Sequence, residues 1–523
     1  MVLLLVLPLA AALACLRVPI AVAGRLTAAC GVASFGLVIA LVPTAAHGNL
    51  GYLRVLRVDA VSAVFLLATG FLYAIVAIYS IGYLGAGHES RGRRSRQFWI
   101  GLNLFAWAML VAPMMSNLAL LWVAIEVTTV VSALLVAIED TDGAAEAAWK
   151  YVLLASAGLG LALLATIFAY YAGAHVLGQS YDLGFTQLLA AARHLPHAAV
   201  QLAFVLAVLG YGTKMGLVPV HTWLPDAHSE APTPVSALLS GSLLAVSFYA
   251  ILRFYQVAVA ALGPAFPRGV LLAFGVASLL LAALYLFGQR DIKRLLAYSS
   301  VEHMGILAIG VSFGAPAALA GVLLHVLGHA AAKANAFMGA GVFVRKFGTK
   351  RIDAIRGGLD LLPWSGPLFL LAIFALGAMP PFGLFRSEFE IVAGGLSSGS
   401  YAAAAFLIIA VTVAFFGLAA STTRMLMLPA ARSADRPARQ LVAAGSAAPA
   451  DGRPGGAASG GAASAGAASG GAAPALARGE PSAWMVVPVA LGMLALLVLG
   501  LHPPAELTDL FSRAVEILSG RAT

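Results

Sequence analysis

Residues 208–227 read VLGYGTKMGLVPVHTWLPDA, an apolar helical run that carries Lys214 and is then interrupted. Gly216 and Pro219 break the run near its middle. Proline removes a backbone hydrogen bond from a helix and leaves carbonyl groups free. Such backbone persists at membrane depth only where it lines protein or water. The stretch therefore predicts a broken transmembrane helix with a lysine beside the break.

A second broken helix is predicted in the other half of the chain. Residues 375–394, ALGAMPPFGLFRSEFEIVAG, place Pro380 and Pro381 ahead of Glu388. Broken helices in both halves of a chain are typical of inverted repeats that hold ion sites at the breaks. Packing kinks without an ion site are the competing interpretation.

The composition excludes a water-soluble protein. Of 523 residues, 61% are hydrophobic and only 10% are charged, whereas soluble domains carry about 25% charged residues. The two cysteines, Cys15 and Cys30, lie in apolar runs and cannot supply an iron–sulfur site or a disulfide framework. The net charge is +9, but the basic residues lie between apolar segments, which indicates membrane topology rather than binding to nucleic acid.

The predicted fold class is an all-α polytopic membrane protein with about fourteen transmembrane helices, each about 20 apolar residues long. Continuous runs rich in leucine and alanine disfavour the alternating strands of a membrane β-barrel. The first segment lacks the basic start and the cleavage site of a signal peptide, so it is counted as a span. The predicted spans are 1–22, 28–46, 59–84, 97–113, 116–138, 147–173, 198–220, 231–257, 268–288, 295–313, 315–345, 363–397, 401–428 and 483–501.

Basic residues predict the orientation, because lysine and arginine mark cytoplasmic loops. The basic loops are 85–96, 289–294 and 345–356, and the linker after residue 428 is basic too. With these spans, the four segments follow the third, ninth, eleventh and thirteenth helices and lie on one side. Both termini are therefore predicted to lie outside, in a cell inner or cytoplasmic membrane.

Two features follow the thirteenth span. Residues 429–482 include GGAASGGAASAGAASGGAA, a composition that buries little apolar surface and predicts a disordered linker. After the last span, Glu506–Leu518 is predicted to form an amphipathic helix along the interface or against a neighbouring helix.

Ionisable residues inside the predicted spans are the candidates for a proton pathway, because a charge in a membrane is costly unless it is paired or hydrated. Glu126 has no lysine or arginine within one helical turn, so Lys214 of another helix is its predicted partner. A buried lysine releases its proton readily, so a pair that opens and closes can hold and release a proton. A static ion pair that joins two helices is the alternative. The predicted pathway comprises Glu126, Lys214, His325, His329, Lys333 and Glu388.

His325, His329 and Lys333 recur at every fourth position and fall near one face of one helix. Histidine exchanges protons near neutral pH, so the row suits a proton wire that includes water. Histidines four residues apart are also a zinc spacing. However, no Cys, Asp or Glu lies nearby in the sequence and a protonated lysine repels a cation, so no metal is predicted. Core histidines without a transport role are the other alternative.

Several stretches between residues 97 and 400 resemble the antiporter-type proton-pumping subunits of respiratory complex I, Mrp sodium/proton antiporters and membrane-bound nickel–iron hydrogenases. The stretches EAAWKYVLLASAG and YGTKMGLVPVHTWLPDAHSEAP are most similar to the component F membrane proteins of hydrogenase-4 and formate hydrogenlyase-type complexes. The resembling stretches are LLWVAIEVTTVVSALLV, GTKMGLVPVHTWLPDAHSEAPTPVSALLSG, RDIKRLLAYSSVEHMG, LLHVLGHAAAKANAFMGAG and AMPPFGLFRSEF.

The resemblance implies two inverted five-helix repeats, formed by helices 4–8 and 9–13. It implies that Glu126 and Lys214 form the switching ion pair of the first half-channel. Lys333, with the two histidines before it, would match the central relay, and Glu388 the terminal broken-helix site. The implied division of the chain is 1–96 for N-terminal helices, 97–257 and 268–428 for the two repeats, 429–482 for the linker, and 483–523 for the last helix and tail.

One departure concerns the link between the half-channels. Many relatives carry a lysine or histidine on the helix after the PTPVSALL motif, where this sequence has Ser240 and Ala245. The link is therefore expected to depend on water, on Ser240 and Ser242, or on a nearby group.

Residues of the HTWLPDAHSEAP loop are candidates for proton uptake at the cytoplasmic mouth, with loop hydrogen bonding as the alternative. Two further candidates lie near the start of a later span and would feed the second half-channel. The candidates are His221, Asp226, His228 and Glu230 in the loop, and Glu302 and His303 in the later span.

The function implied by the resemblance is a proton-translocating subunit of a membrane-bound redox complex of the hydrogenase-4 or NADH-dehydrogenase type. The sequence has no motif for flavin, nucleotide, haem or cluster, so no cofactor is predicted in this chain. Electron transfer is assigned to partners, namely other membrane subunits and a hydrogenase-like peripheral arm with iron–sulfur centres. Two alternatives are a subunit of an Mrp-type sodium/proton antiporter and a non-pumping membrane scaffold for a soluble redox arm.

Overall fold

A computed structural model describes residues 1–85, 92–429 and 476–520. The N-terminal part has three helices and an antiparallel hairpin in which Leu50 pairs with Val58. Its elements are α1 (Val2–Cys15), α2 (Ile20–His47), β1 (Leu50–Tyr52), β2 (Leu56–Val58) and α3 (Ala60–Gly85). The region of the first predicted repeat follows with α4 (Arg93–Val111), α5 (Leu118–Val136), α6 (Asp142–Leu177), α7 (Phe185–Ala191), α8 (His197–Met215), α9 (Trp223–Glu230), α10 (Thr233–Leu238) and α11 (Leu244–Leu262).

The region of the second predicted repeat is also helical. It comprises α12 (Ala265–Tyr285), α13 (Ile292–Phe313), α14 (Pro316–Phe347), α15 (Gly358–Leu361), α16 (Ser365–Leu376), α17 (Gly383–Ser397) and α18 (Tyr401–Met427). Two helices, α19 (Ala483–Leu501) and α20 (Ala505–Leu518), complete the described chain. Polar residues fix several helix starts: the side chain of Asn117 caps α5, that of Thr141 caps α6 and that of Asp291 caps α13.

The predicted all-α polytopic membrane fold is confirmed. Among the described residues, 12 helices are long and apolar enough to span a membrane, and Val2–Cys15 and Ser365–Leu376 are shorter apolar helices. The predicted first span, 1–22, is too long, because α1 ends at Cys15 and α2 begins at Ile20. Pro19 immediately precedes α2 and, having no backbone N–H, favours a helix boundary there.

The helices divide into inner and outer ones. In α3, α13, α14 and the α10–α11 span, 89–100% of the residues in the apolar membrane-spanning stretch are buried. In α2, α6, α12, α18 and α19, only 33–39% of those residues are buried. The outer helices therefore present apolar surface to lipid or to other subunits. Three of the six predicted pathway residues, His325, His329 and Lys333, lie in the inner helix α14.

Both predicted helix breaks are present. The first helix stops at Met215 because Gly216 adopts the left-handed conformation (φ +86°), and helix resumes at Trp223. The indole of Trp223 donates a hydrogen bond to the carbonyl of Thr213 at 2.7 Å, which satisfies a group near the interrupted helix end. The second break separates Leu376 from Gly383. The first break places Gly216 and Leu217 in the interior, whereas Met379, Pro380 and Pro381 of the second break are exposed on this chain.

The predicted linker falls mostly outside the described residues, and the inverted relation of the two repeats stays a prediction. The last residues of the predicted linker contact the bundle, because the carboxylate of Glu480 accepts hydrogen bonds from the backbone N–H groups of Trp364 and Ser365 at the start of α16. The predicted amphipathic tail corresponds to α20, which packs against α2, α3 and α14.

Candidate functional site

The first cluster lies beside the break in α8, where that helix meets α5 and α6. Lys214 is fully buried, and its amine donates a hydrogen bond to the hydroxyl of Thr129 on α5. The amine lies 5.2 Å from the centre of the Tyr151 ring on α6, and the Tyr151 hydroxyl is 2.7 Å from that of Ser132. The immediate partners of the amine are thus uncharged groups.

Glu126 lies one helical turn before Thr129 on α5. It is partly buried, and its Oε2 atom has no hydrogen-bond partner. Within the described chain, no carboxylate oxygen lies within the 4.0 Å ion-pair distance of the Lys214 amine. Glu126 and Lys214 still interact electrostatically. The structure therefore brings the two predicted partners close together, but as an open pair.

The second cluster joins α13 and α14. Lys333 is fully buried, and its amine donates hydrogen bonds to the carbonyl of Leu296 at 2.9 Å and to the hydroxyl of Ser299. Glu302 lies one turn after Ser299, is 2% exposed, and has an Oε2 atom without a hydrogen-bond partner. Glu302 and Lys333 interact electrostatically. This cluster repeats the grouping of a lysine, a hydroxyl and a carboxylate.

A third cluster contains histidines from α13 and α14. Nδ1 of His303 lies 3.1 Å from Nε2 of His325, and Nδ1 of His325 lies 2.9 Å from the hydroxyl of Ser387 on α17. The His329 ring centre is 5.1 Å from that of His303. All three imidazoles are fully buried. Such a chain of imidazoles and a hydroxyl can pass protons along hydrogen bonds.

Glu388 completes this third cluster. One ligand atom each from His303, His325 and Glu388 lie within 4.8 Å of one another. The sequence argument placed no carboxylate near the histidines, because Glu388 belongs to another helix. Two imidazoles and a carboxylate form a zinc-type donor set. Nδ1 of His303 and Nε2 of His325 also lie within hydrogen-bonding distance of each other.

A link between the two predicted repeats passes through serine hydroxyls. Leu239–Leu243 forms a π-helical segment between α10 and α11. Within it, the hydroxyl of Ser240 lies 2.8 Å from that of Ser300 on α13, next to the Ser299 that binds Lys333. Ser242 contacts Thr69 of α3 at 2.8 Å instead. Of the two serines expected to replace the missing base, Ser240 is the one that reaches the second repeat.

The acidic loop residues lie at the surface. Asp226 accepts a charged hydrogen bond from Arg294 at 2.8 Å and lies 3.5 Å from Lys150. Glu230 pairs with Lys350 at 2.6 Å. Both carboxylates are about 30% exposed, and each is paired with basic side chains.

The loop histidines lie deeper than the acidic residues. Burial lowers the pKa of His221, which is 7% exposed. His228 is fully buried against the ring of Phe337 at 5.2 Å. Burial, and then repulsion by Lys333 and Lys293, lower the pKa of His228 to about 3. Both imidazoles are therefore neutral near pH 7.

Glu302 and His303 were predicted to take up protons near the start of a span. The structure places both near the middle of α13, where they are 2% and 0% exposed. The reason is that α13 begins at Ile292, earlier than the predicted span, so these residues lie further along the helix. They belong to the interior clusters and not to the mouth.

Sequence reasoning missed the hydroxyl partners and one buried ion pair. Serines and threonines are common in helices, so nothing in the sequence singles out Thr129 or Ser299. Arg253, in contrast, lies inside the predicted span 231–257 and could have been noticed. Its guanidinium pairs with Asp59 at 2.6 Å, and both residues are buried.

A cavity of about 440 Å³ lies between α14, α17 and α20. Its lining includes Leu324, which precedes His325, and Arg386, which precedes Ser387. Arg386 pairs with Glu390, one turn further along α17, at 3.0 Å. A volume of this size can hold water where charged side chains such as Arg386 and Glu390 interrupt its mainly apolar lining.

Comparison with known proteins gives concordant matches. The profile of a family described as NADH:quinone oxidoreductase/Mrp antiporter, TM, matches residues 115–416. A hydrogenase-4 component F homolog from Methylacidiphilum infernorum is 37% identical over 354 residues, which cover 66% of this chain and 74% of that protein. Hydrogenase-4 component B from Escherichia coli is 31% identical over 348 residues, which cover 64% of this chain and 50% of that protein.

A solved structure shares the fold. The matching chain of the Mrp complex from Dietzia sp. DQ12-45-1b superimposes with a TM-score of 0.80 at 21% identity. The match covers 100% of this chain and 98% of that chain.

Proposed function

This chain belongs to the NADH:quinone oxidoreductase/Mrp antiporter family of membrane subunits, and from this premise we propose that it translocates protons for a membrane-bound redox complex of the hydrogenase-4 type. Family membership makes it an antiporter-like, multi-pass membrane subunit that works beside other membrane subunits. The transported ion, the route and the redox partner are the proposed parts.

The observation that carries the proposal is the series of buried ionisable clusters that crosses both predicted repeats. Glu126 and Lys214 lie in the first repeat, and Lys333, the histidines and Glu388 lie in the second. Isolated charges in a membrane are costly and are rarely found without a transport or pairing role. A scaffold would need none of them, and closed ion pairs would suffice to join helices.

The route begins at the basic-lined mouth with Asp226 and continues to Lys214. It crosses to the second repeat through the hydroxyls of Ser240 and Ser300 and reaches Lys333. It then follows the histidine cluster to Glu388 and leaves through the adjacent cavity. Water between these clusters would complete the path, because hydrogen-bonded water carries protons as well as side chains do.

The orientation follows from the charged loops. Arg345 and Lys346 at the end of α14 and Lys350 in the loop after it would lie in the cytoplasm, as would Arg290 before α13. The mouth at Asp226 contacts Arg294 and so shares that side. The cavity near Pro316, at the opposite end of α14, would then open outside. Both termini would lie outside in the cell inner or cytoplasmic membrane.

The energy would come from partner subunits. A hydrogenase-like peripheral arm with iron–sulfur centres would transfer the electrons, and the coupled motion would open and close the lysine pairs. Moving one charge against 100 mV requires about 2.3 kcal/mol, which a redox step can supply.

The test is to substitute Glu126→Ala and Lys214→Ala separately in the assembled complex. Each variant should lose about a hundredfold in proton translocation, because a positioned proton-exchanging group contributes about that factor. Electron transfer by the partner subunits measures assembly, and proton movement into vesicles measures transport. A Glu146→Ala variant is the control, because Glu146 is an exposed carboxylate paired with Lys150.

Three outcomes separate the functions. Loss of proton movement with intact assembly supports the proposal. Unchanged proton movement in both variants rejects it and favours a scaffold. Sodium-dependent proton exchange without an electron donor would instead identify an Mrp-type antiporter.

A further inference from the structure

The starting observation is that Lys333 is held by uncharged groups although a carboxylate lies nearby. An ammonium group has three hydrogens to donate. Two of them are directed to the carbonyl of Leu296 and the hydroxyl of Ser299. Within the described residues, no carboxylate oxygen lies within 4.0 Å of the amine. A buried ammonium in this position has no counter-charge in direct contact, which is an unfavourable state.

The nearby carboxylate belongs to Glu302. It lies one turn along α13 from Ser299, so the two side chains project from neighbouring positions on the same helix. Its Oε2 atom is buried and has no hydrogen-bond partner. A lysine side chain has four flexible methylene groups, so its amine can move from a hydroxyl to a carboxylate one turn away.

Other titratable groups around Lys333 cannot replace Glu302. His303, His329 and His228 all interact electrostatically with Lys333, but their charged forms are cationic and repel an ammonium. Glu388 interacts electrostatically with Glu302. Glu302 is thus the acidic group that interacts electrostatically with both Lys333 and Glu388.

The same unit occurs in the first repeat. There, the amine of Lys214 binds Thr129, and Glu126 lies one turn away on the same helix. In the first predicted repeat the hydroxyl residue, Thr129, comes after the carboxylate residue, Glu126. In the second, the hydroxyl residue, Ser299, comes before the carboxylate residue, Glu302. The grouping of a lysine, a hydroxyl and a carboxylate without an ion pair thus occurs once in each predicted repeat.

We infer that Glu302 is the exchangeable partner of Lys333, so that the second repeat contains its own lysine–carboxylate switch. The inference rests on the proposed function and adds a residue to it. In the open state the amine stays on Ser299, and in the closed state it faces Glu302. A proton that passes from the ammonium to the carboxylate leaves a neutral amine and a carboxylic acid. The acid then gives that proton to the carboxylate of Glu388, which restores the charge on Glu302.

The experiment compares Glu302→Gln with Glu126→Gln in the assembled complex, with Glu146→Gln as the matched surface control. Proton translocation into vesicles is measured against electron transfer. Glu302→Gln should lower translocation by at least about tenfold, while Glu146→Gln leaves it unchanged. Glu302→Asp keeps the carboxylate and should restore part of the transport, which a purely structural role would not require.

A spectroscopic measurement tests the protonation of Glu302 directly. Infrared difference spectra recorded during turnover should contain a carboxylic-acid band that is absent in Glu302→Gln. Wild-type translocation in Glu302→Gln, together with loss in Glu126→Gln, would overturn the inference and leave the proposed function standing. Unchanged translocation in both variants would reject the proposed function as well.

Discussion

Two regions of this protein bury an acid beside a base, and they do so in different ways. Near the start of α3, Asp59 and Arg253 form a closed pair at 2.6 Å, and the backbone N–H of Ser62 also donates to Asp59 at 2.9 Å. In the interior, the amines of Lys214 and Lys333 bind hydroxyls while their carboxylates remain unpaired. The first region holds its charges fixed, and the second leaves them free to rearrange.

The choice of base explains the difference. A guanidinium is planar, stays protonated and stacks on aromatic rings, and that of Arg253 lies 4.7 Å from the centre of the Tyr249 ring. A lysine amine is a flexible point charge that can lose its proton when buried. An arginine therefore suits a permanent ion pair, and a lysine suits a pair that opens and exchanges a proton. Substitutions at the two kinds of site should separate these behaviours.

The largest effect is expected from Arg253→Met, which leaves the buried Asp59 carboxylate with the more distant Arg57, at 3.7 Å, as its remaining ion-pair partner among the described residues. Removing one member of a buried pair costs about 3–5 kcal/mol. Thermal unfolding of the purified complex should show the loss. Arg513→Met is the control, because Arg513 forms an exposed pair with Glu516 that is worth about 1 kcal/mol or less. Equal stability of the two variants would show that the buried pair of Asp59 and Arg253 does not stabilise the fold.

Exchanging lysine for arginine should convert a pair that opens into a permanent ion pair. Lys214→Arg or Lys333→Arg keeps the positive charge but cannot release the proton, so translocation should fall about a hundredfold while assembly persists. Vesicle acidification coupled to electron transfer is the measurement. Lys346→Arg, at the end of α14, is the matched control and should transport normally. Retained transport in both buried variants would show that neither lysine exchanges a proton.

The closed pair also predicts a pH dependence of stability. Burial alone would raise the pKa of Asp59, but the attraction of Arg253 outweighs it and lowers the pKa to about 2 from an ordinary value of 3.8. The pair therefore contributes its full stabilisation, about 2 kcal/mol, above the ordinary value and loses it as the pH falls through about 2. Unfolding temperatures of wild type and Asp59→Asn should converge over this range. A constant difference between them would contradict the assignment.

The smallest effect is expected at the cavity beside the histidine cluster. The native cysteines, Cys15 and Cys30, are both buried, so an added cysteine can be labelled selectively. A bulky membrane-impermeant maleimide attached to Ala320→Cys, in the lining, should reduce translocation partially by displacing water. Labelled Tyr401→Cys, which is 67% exposed and does not line the cavity, is the control. Equal transport after labelling at both positions would mean that protons leave elsewhere.

The membrane fold and the family could both be predicted from the order of amino acids. Long apolar runs leave a chain little choice but to form helices in a bilayer, since backbone groups must be hydrogen-bonded within each segment. The helix breaks near Gly216 and Pro380 could also be predicted, because glycine and proline change the backbone at their own positions. Both predictions are confirmed, whereas the roles of the site residues stay predictions.

Which side chains meet could be learned only from the packed helices. Glu388 approaches His303 and His325 although it lies far from both in sequence, and Ser240 reaches Ser300 across two helices. The structure also distinguishes the ion-paired arginine from the hydroxyl-bound lysines, because hydroxyl partners such as Thr129 and Ser299 come from neighbouring helices. Helix packing brings these groups within hydrogen-bonding distance, and no local sequence pattern encodes that packing.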